Sequence, residues 1–172
     1  MFAPIKRIEP NLYLKTKVKD NILYIDCAVD SYLAADIADF IRQKLLDNNI
    51  SFTYETVMSH KGKIDFMLNA KSKGYQVYLY YIATASPDIN VERVNIRAAQ
   101  NGHFVAPITV RNRYYKILEN LKSAISASDT CYIWDNSKLF ESVLISKITN
   151  GNNVEMFETE NVSVWFEKYV LG

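Results

Sequence analysis

The sequence predicts an α/β fold with a mostly parallel sheet and flanking helices. The first observation is the order of its segments, in which helical stripes of apolar residues alternate with short apolar runs. This order is typical of parallel strands joined by right-handed crossovers. The second observation is that the runs at residues 77–82 and 130–134 are apolar at nearly every position. Such runs suit strands that helices cover on both faces.

The N-terminal residues 1–29 are the least regular part of the chain, and we predict that they form an arm or the remnant of a longer element. Pro4 and Pro10 interrupt any helix there, whereas residues 21–29 suit one short strand. Residues 30–172 are predicted to form a single domain, because their number lies within the usual range for one domain.

The elements of this domain follow from helical periodicity, apolar runs and turn residues. A first helix is predicted to begin at Asp30 or Ser31, either of which can cap it, and to end at Asn48 or Asn49. Beyond it the sequence predicts strands at residues 50–54, 77–82 and 130–134, and helices at residues 60–73, 88–100 and 108–125.

A C-terminal β-hairpin is predicted around Asn150 and Gly151, which are favoured in two-residue hairpin turns. Its strands are expected at residues 140–148 and 154–157. Residues 162–171 are short and show no decisive pattern.

Composition and charge disfavour several classes of function. The net charge of +1 disfavours a nucleic-acid partner. No apolar run approaches the roughly 20 residues that span a bilayer, and no signal peptide is visible, so we expect no membrane partner and a cytoplasmic location. Cys27 and Cys131 have neither metal nor redox spacing, so we expect both to be buried in a reducing compartment.

Polar residues follow the first predicted strand of the domain, and in parallel sheets ligands bind beyond the carboxyl ends of the strands. Glu55 and Thr56 come directly after residues 50–54 and suit hydrogen bonds to a sugar or nucleoside hydroxyl. The alternative is that Glu55 favours the dipole of the next helix and Ser59 caps it. The sequence leaves both interpretations open.

Four arginines flank the loop between the predicted helices at residues 88–100 and 108–125. Arg93 and Arg97 share one helix face, and Arg111 and Arg113 lie at the start of the next helix. Because the planar guanidinium group binds phosphate oxygens in pairs, this set suits a triphosphate or a transferring phosphoryl group. The alternative is a solvated helical face with partners such as Glu92.

Three further polar residues are candidates for ligand contact. Asp135 and Asn136 follow the strand at residues 130–134, although these residue types also favour turns. His103 has no second histidine, cysteine or paired carboxylate near it in the sequence, so no metal site is predicted. No catalytic residue is assigned.

A glycine-rich phosphate loop is absent before these candidates. The first glycine is Gly62, and no G-x-x-x-x-G-K-[ST] motif precedes it. Such a loop is needed where several backbone N–H groups converge on phosphate oxygens at the start of a helix.

The segments taken together resemble the zeta-toxin-like P-loop kinases. The order and spacing are kept over about residues 30–137. The matching stretches are residues 31–46, 52–60, 73–82, 88–97, 102–103, 113–115 and 134–137.

This resemblance implies a P-loop kinase-like fold that uses ATP and magnesium to transfer the γ-phosphoryl group to a hydroxyl of a small substrate. In the zeta toxins proper that substrate is a UDP-activated amino sugar. The resemblance also implies that Glu55 and Thr56 lie on the substrate side. It implies that Arg93, Arg97 and Arg113 are lid residues near the nucleotide phosphates.

The sequence departs from the family pattern in two places. The family begins with a strand, a Walker A loop and a helix, followed by an Asn-x-Asp-Asp-like segment that carries the catalytic base, and residues 1–29 contain neither part. In the lid, the family's Gly-His-Asp-Val-Pro-Glu is replaced by Gly-His-Phe-Val-Ala-Pro at residues 102–107.

The missing phosphate loop has a direct consequence for activity. Phosphoryl transfer depends on that loop, its lysine and magnesium, so we expect an incomplete kinase domain that is inactive alone. The expected partners are a missing N-terminal half, an antitoxin-like protein or a second copy of the chain. The alternative hypothesis is a non-catalytic protein-interaction module on the same fold.

Overall fold

The computed structural model describes residues 16–27, 30–100, 102 and 104–172, and the chain divides into two compact units after Tyr54. The first unit contains strands β1 (Thr16–Lys19) and β2 (Ile22–Ile25), which pair antiparallel. Asp20 and Asn21 link them with positive φ angles of 53° and 60°, the backbone of a type I′ turn. The strand expected at residues 21–29 is therefore a hairpin arm.

Helix α1 (Ser31–Asp47) completes the first unit and confirms the first predicted helix. Asp30 is its cap, because its carboxylate accepts a 2.7 Å hydrogen bond from the Leu33 amide. At the other end Asn49 has a φ of 56°, and the Ile50 amide donates to the Leu45 carbonyl. This left-handed helix ending is the reason why the strand predicted at residues 50–54 is wrong: Ile50 belongs to the helix terminus.

The second unit contains a four-stranded sheet and the remaining helices. Its helices are α2 (Lys61–Ser72), α3 (Pro87–Ala99), α4 (Pro107–Ala127) and the single turn α5 (Val164–Phe166), which continues into a π-helical turn at Glu167–Leu171. Its strands are β3 (Tyr78–Ala83), β4 (Thr130–Asp135), β5 (Val143–Thr149) and β6 (Asn153–Met156), in that spatial order. Among the described residues, none of the helices is both long and apolar enough to cross a membrane.

The sheet is mixed, so the prediction of a mostly parallel sheet is wrong. Only β3 and β4 pair in parallel, whereas β4 with β5 and β5 with β6 are antiparallel. The connection from β4 to β5 runs only from residue 136 to 142, and a parallel crossover needs about a dozen residues. The C-terminal hairpin is confirmed, with Asn150 and Gly151 at positive φ, but β5 begins at Val143 rather than at Phe140.

One face of the sheet carries the core, and α4 packs against it. Two groups of buried residues form this core. The larger group is Tyr81, Tyr114, Leu118, Leu121, Ile125, Cys131, Ile133, Ile145, Ile148, Trp165 and Phe166, and the smaller is Met58, Ile64, Met67, Ala124 and Ala127. Burial raises the pKa of the Cys131 thiol to about 12, so this cysteine is a packed apolar group. The predicted domain boundary at residue 30 is untested and stays a prediction.

The opposite face of β3 is exposed. Tyr78, Tyr80 and Ile82 alternate with the buried positions of this strand and are each more than half exposed. The Tyr80 ring stacks on Tyr132 of β4 with centroids 5.2 Å apart. Within the described residues, β3 is also an outermost strand of the sheet.

Asp129 fastens the start of the parallel strand pair. Its amide donates to the Val77 carbonyl at 2.8 Å, and its carboxylate accepts from the Val77 amide at 2.7 Å. Lys71 lies 3.1 Å from the other carboxylate oxygen. The Val77 hydrogen bond, followed by Lys71, holds the pKa of Asp129 below its ordinary value of 3.8.

We expect the Ile133→Ala substitution to lower the free energy of unfolding by about 2–5 kcal/mol, because a fully buried side chain is replaced by a cavity. The matched Ile82→Ala change, on the neighbouring strand where the side chain is 64% exposed, should cost less than about 1 kcal/mol. Urea denaturation measures both values. Equal losses would contradict a core confined to one face of the sheet.

We expect the Asp129→Asn substitution to lower the melting temperature at pH 6 but to have little effect near pH 2. Because the pKa of Asp129 is depressed on folding, its stabilising contribution is present above about pH 4 and is lost as the pH falls through the folded value. Thermal unfolding of both proteins across this range is the measurement. A difference that stays constant with pH would show that the ionised carboxylate does not contribute.

Candidate functional site

The candidate site is a cleft of about 730 Å³ lined by residues of α3, α4 and the loop between β4 and β5. The structure brings the three predicted lid arginines together here: Arg93 and Arg97 on α3 and Arg113 on α4 all line this cleft. Within the part of the chain that the structure describes, none of the lining residues is acidic. The cleft therefore has a positive lining that its own residues do not neutralise.

Arg93 binds the loop that follows β4. Its Nη1 donates to the Asn136 carbonyl at 2.7 Å, and its Nη2 donates to the Ser137 carbonyl at 3.1 Å and to the Lys138 carbonyl at 3.4 Å. Three consecutive carbonyls are thus held by one planar guanidinium group. This geometry gives Arg93 a positioning role at the edge of the cleft.

Arg97 and Arg113 differ from Arg93 because both side chains are exposed. Within the described part of the chain, neither guanidinium group forms a hydrogen bond or an ion pair. Arg111, which the sequence grouped with them, does not line the cleft and pairs with Asp88 instead. Two of the four arginines are therefore available to an anion in the cleft.

The carboxyl ends of β3 and β4 meet beside the cleft and are closely hydrogen-bonded. The Asn136 amide donates to the Ala83 carbonyl at 2.8 Å, and the buried Tyr114 hydroxyl donates to the Thr84 carbonyl at 2.9 Å. Burial raises the pKa of Tyr114 to about 12, which keeps the phenol protonated and able to donate. The Tyr114 bond attaches α4 to the end of β3, and the Asn136 bond joins the ends of the two strands.

Asp135 and Asn136 form the turn at the end of β4. The two carboxylate oxygens of Asp135 each accept a 2.7 Å hydrogen bond, one from the Ser137 amide and one from the Ser163 hydroxyl. The Asn136 side-chain oxygen accepts from the Ser142 hydroxyl at 3.2 Å. Their side-chain oxygens are thus used within the protein, as the turn interpretation expects.

The structure leaves the other predicted residues outside the cleft. Glu55 and Thr56 are exposed in a segment that is neither helix nor strand, and neither lines the cleft, although the adjacent Val57 does. His103 lies outside the described residues. Across the ranges that the structure describes, no group of three or more His, Cys, Asp or Glu side chains is placed to hold a metal ion.

Sequence reasoning missed Leu139 and Phe140, which also line the cleft. Phe140 is 97% exposed and has a φ of 60°, and Leu139 is 70% exposed. The sequence suggested a strand starting at Phe140, because an apolar residue next to a strand is usually part of it. No signal in the sequence indicates that a phenylalanine adopts a left-handed turn conformation.

A model of the zeta toxin family matches residues 30–161. The chain belongs to this family, which confirms the resemblance and supports a P-loop kinase-like fold. It is also similar to an uncharacterized protein of Haemophilus influenzae, at 35% identity over 69 residues that make up 40% of this chain and 49% of that protein. The chain spans about half the length of this relative. No solved structure matches the chain.

We expect the Arg93→Lys substitution to speed chymotrypsin cleavage after Leu139 and Phe140 by about tenfold. A lysine ammonium is a single compact group and lacks the planar fork whose two nitrogens reach these three carbonyls. A tenfold change corresponds to about 1.4 kcal/mol of local stability. The matched Arg111→Lys variant, which alters only the pair with Asp88, should leave this cleavage rate unchanged. Equal rates in all three proteins would show that Arg93 does not hold the loop.

Proposed function

We propose that this chain carries the lid and substrate-side elements of a zeta-toxin-like kinase, and that the α3–α4 cleft binds the phosphates of a nucleotide. The observation that carries the proposal is the cleft lining, which among the described residues contains three arginines and no carboxylate. The reaction proposed for the complete enzyme is transfer of the γ-phosphoryl group of ATP to a hydroxyl of a small substrate such as a nucleotide sugar.

The arginines divide this work between them. Arg93 is committed to the loop after β4, so it fixes one side of the cleft. Arg97 and Arg113 project unpaired donors from two different helices, and together they can contact two phosphate groups or two sides of one group. Their charge stabilises the transferring phosphoryl group, whose negative charge is spread over its outer oxygens.

The described residues fit a polyphosphate better than they fit magnesium. The unpaired guanidinium groups of Arg97 and Arg113 are suitable donors to phosphate oxygens. The carboxylate nearest the strand ends, Asp135, uses both oxygens in internal hydrogen bonds. The proposal therefore rests on phosphate binding, and magnesium is assigned no ligand from these residues.

Glu55 and Thr56 are proposed to contact a hydroxyl of the substrate. Both side chains are exposed, and each can accept a hydrogen bond from a sugar hydroxyl. A carboxylate and a hydroxyl that follow one another in an irregular segment suit this contact, which stays separate from the phosphate contacts of the cleft.

We further propose that these 172 residues do not transfer phosphate by themselves. They contain no G-x-x-x-x-G-K-[ST] motif to hold the β- and γ-phosphates. Activity is then proposed to need a phosphate loop supplied by another segment or chain. An antitoxin-like protein and a second copy of this chain are the other proposed partners.

The second candidate is a non-catalytic interaction module on the same fold. It is favoured by the exposed side chains of Tyr78, Tyr80 and Ile82 on β3, an outermost strand among the described residues. Apolar surface of this kind is a common feature of protein interfaces. This candidate predicts a stable dimer or complex without nucleotide binding, which light scattering and calorimetry together distinguish from the kinase proposal.

We expect the purified chain to bind inorganic tripolyphosphate, and the Arg97→Gln and Arg113→Gln substitutions each to weaken this binding by about tenfold or more. Each removes a charge-assisted hydrogen bond worth about 1.5–3 kcal/mol. Isothermal titration calorimetry at fixed ionic strength is the measurement. The matched Arg111→Gln change, outside the cleft lining, should have little effect. If the wild-type chain binds no tripolyphosphate, the proposed phosphate binding in the cleft is contradicted.

A further inference from the structure

The position of Phe140 is the feature that phosphate binding leaves unexplained. Its side chain is 97% exposed, and its backbone has a φ of 60°, an unfavourable region for a bulky residue. Such conformations are strained and persist where the surrounding structure enforces them. Exposed phenylalanines are ordinary one at a time, but this one is held in a strained backbone at the edge of a cationic cleft.

The conformation of this loop is set by contacts other than those of Phe140 itself. Arg93 holds the carbonyls of Asn136, Ser137 and Lys138, which directly precede the turn. The Ser137 hydroxyl accepts a 2.7 Å hydrogen bond from the Ala85 amide, which ties the loop to the end of β3. The phenyl ring is therefore presented by a loop that these bonds hold, and no packing partner among the described residues accounts for its position.

The cleft lining combines a cationic part with an apolar part. Arg97 and Arg113 supply the unpaired charges, and Phe140 and Leu139 supply exposed apolar surface in the same lining. A ligand that matches both parts carries an anionic group and a flat ring. Nucleotides have this combination, and aromatic side chains stack on the faces of their bases.

We propose that Phe140 stacks on the base of a nucleotide whose phosphates bind Arg97 and Arg113. This inference rests on the proposed phosphate site and makes it specific for nucleoside phosphates over simple polyphosphates and sugar phosphates. Because a base presents a π-face regardless of its identity, the stack selects for the presence of a base rather than for one particular base.

The test compares ATP with inorganic tripolyphosphate by calorimetry in the wild type and the Phe140→Ala, Phe140→Trp and Phe140→Gly variants. Phe140→Ala should weaken ATP binding by about 5- to 100-fold, the range for losing one base stack, and should leave tripolyphosphate binding within twofold of wild type. Phe140→Trp keeps an aromatic face and should retain ATP binding. Phe140→Gly accepts a positive φ without strain and should match Phe140→Ala.

The matched control is Phe157→Ala, because Phe157 is 54% exposed and does not line the cleft. It should change neither affinity. If tripolyphosphate binds and depends on Arg97 and Arg113 while Phe140→Ala leaves ATP binding unchanged, the phosphate site stands and the stacking inference is overturned. If Phe140→Ala weakens both ligands equally, the ring acts on the shape of the loop and the inference is again overturned. If the wild type binds neither ligand, both the proposed phosphate site and the proposed stacking of a base on Phe140 are contradicted.

Discussion

The parallel pairing of β3 with β4 is the interaction on which the rest of the second unit depends. At the start of the pair, the Asp129 amide donates to the Val77 carbonyl, and the Asp129 carboxylate accepts from the Val77 amide. At its end, the Asn136 amide donates to the Ala83 carbonyl. Because both strands end at the same edge, the helices that follow β3 and the loop that follows β4 meet there. The cleft is a consequence of this meeting.

The arginines of this edge show how one residue type serves two purposes. Arg93 is half-buried and binds three backbone carbonyls, so its charge stabilises the protein's own loop. Arg97, one helical turn further along α3, is exposed and lines the same cleft as Arg113 of the next helix. In the proposed phosphate site, the fixed arginine shapes the surface and the two exposed ones supply its charge. A phosphate site needs both, because unsupported arginines would bind anions without a defined geometry.

The sequence predicted the helices well because their apolar stripes and the Asp30 cap are local signals. It also placed Arg93 and Arg97 on one helix face, since they are four residues apart, and both line the cleft, whereas Arg111 of the predicted set does not. It failed at residues 50–54, where the end of α1 incorporates Ile50, and in the sheet, where a short connection forces β5 to run antiparallel. The carbonyl partners of Arg93 lie more than forty residues away, and Phe140 sits in an unusual backbone conformation, so neither has a local sequence signal.

We propose that the α3–α4 cleft of this zeta-toxin family chain binds nucleotide phosphates. NMR spectroscopy tests this binding directly, because it reports on each residue of the cleft. Titration of the ¹⁵N-labelled chain with ATP follows the side-chain Nε–H resonances of Arg97, Arg113 and Arg111 together with the backbone amides. We expect saturable shifts for Arg97, Arg113 and the amides of residues 136–142, with Arg111 unchanged. Shifts confined to other parts of the chain, or none at millimolar ATP, would contradict the proposed binding.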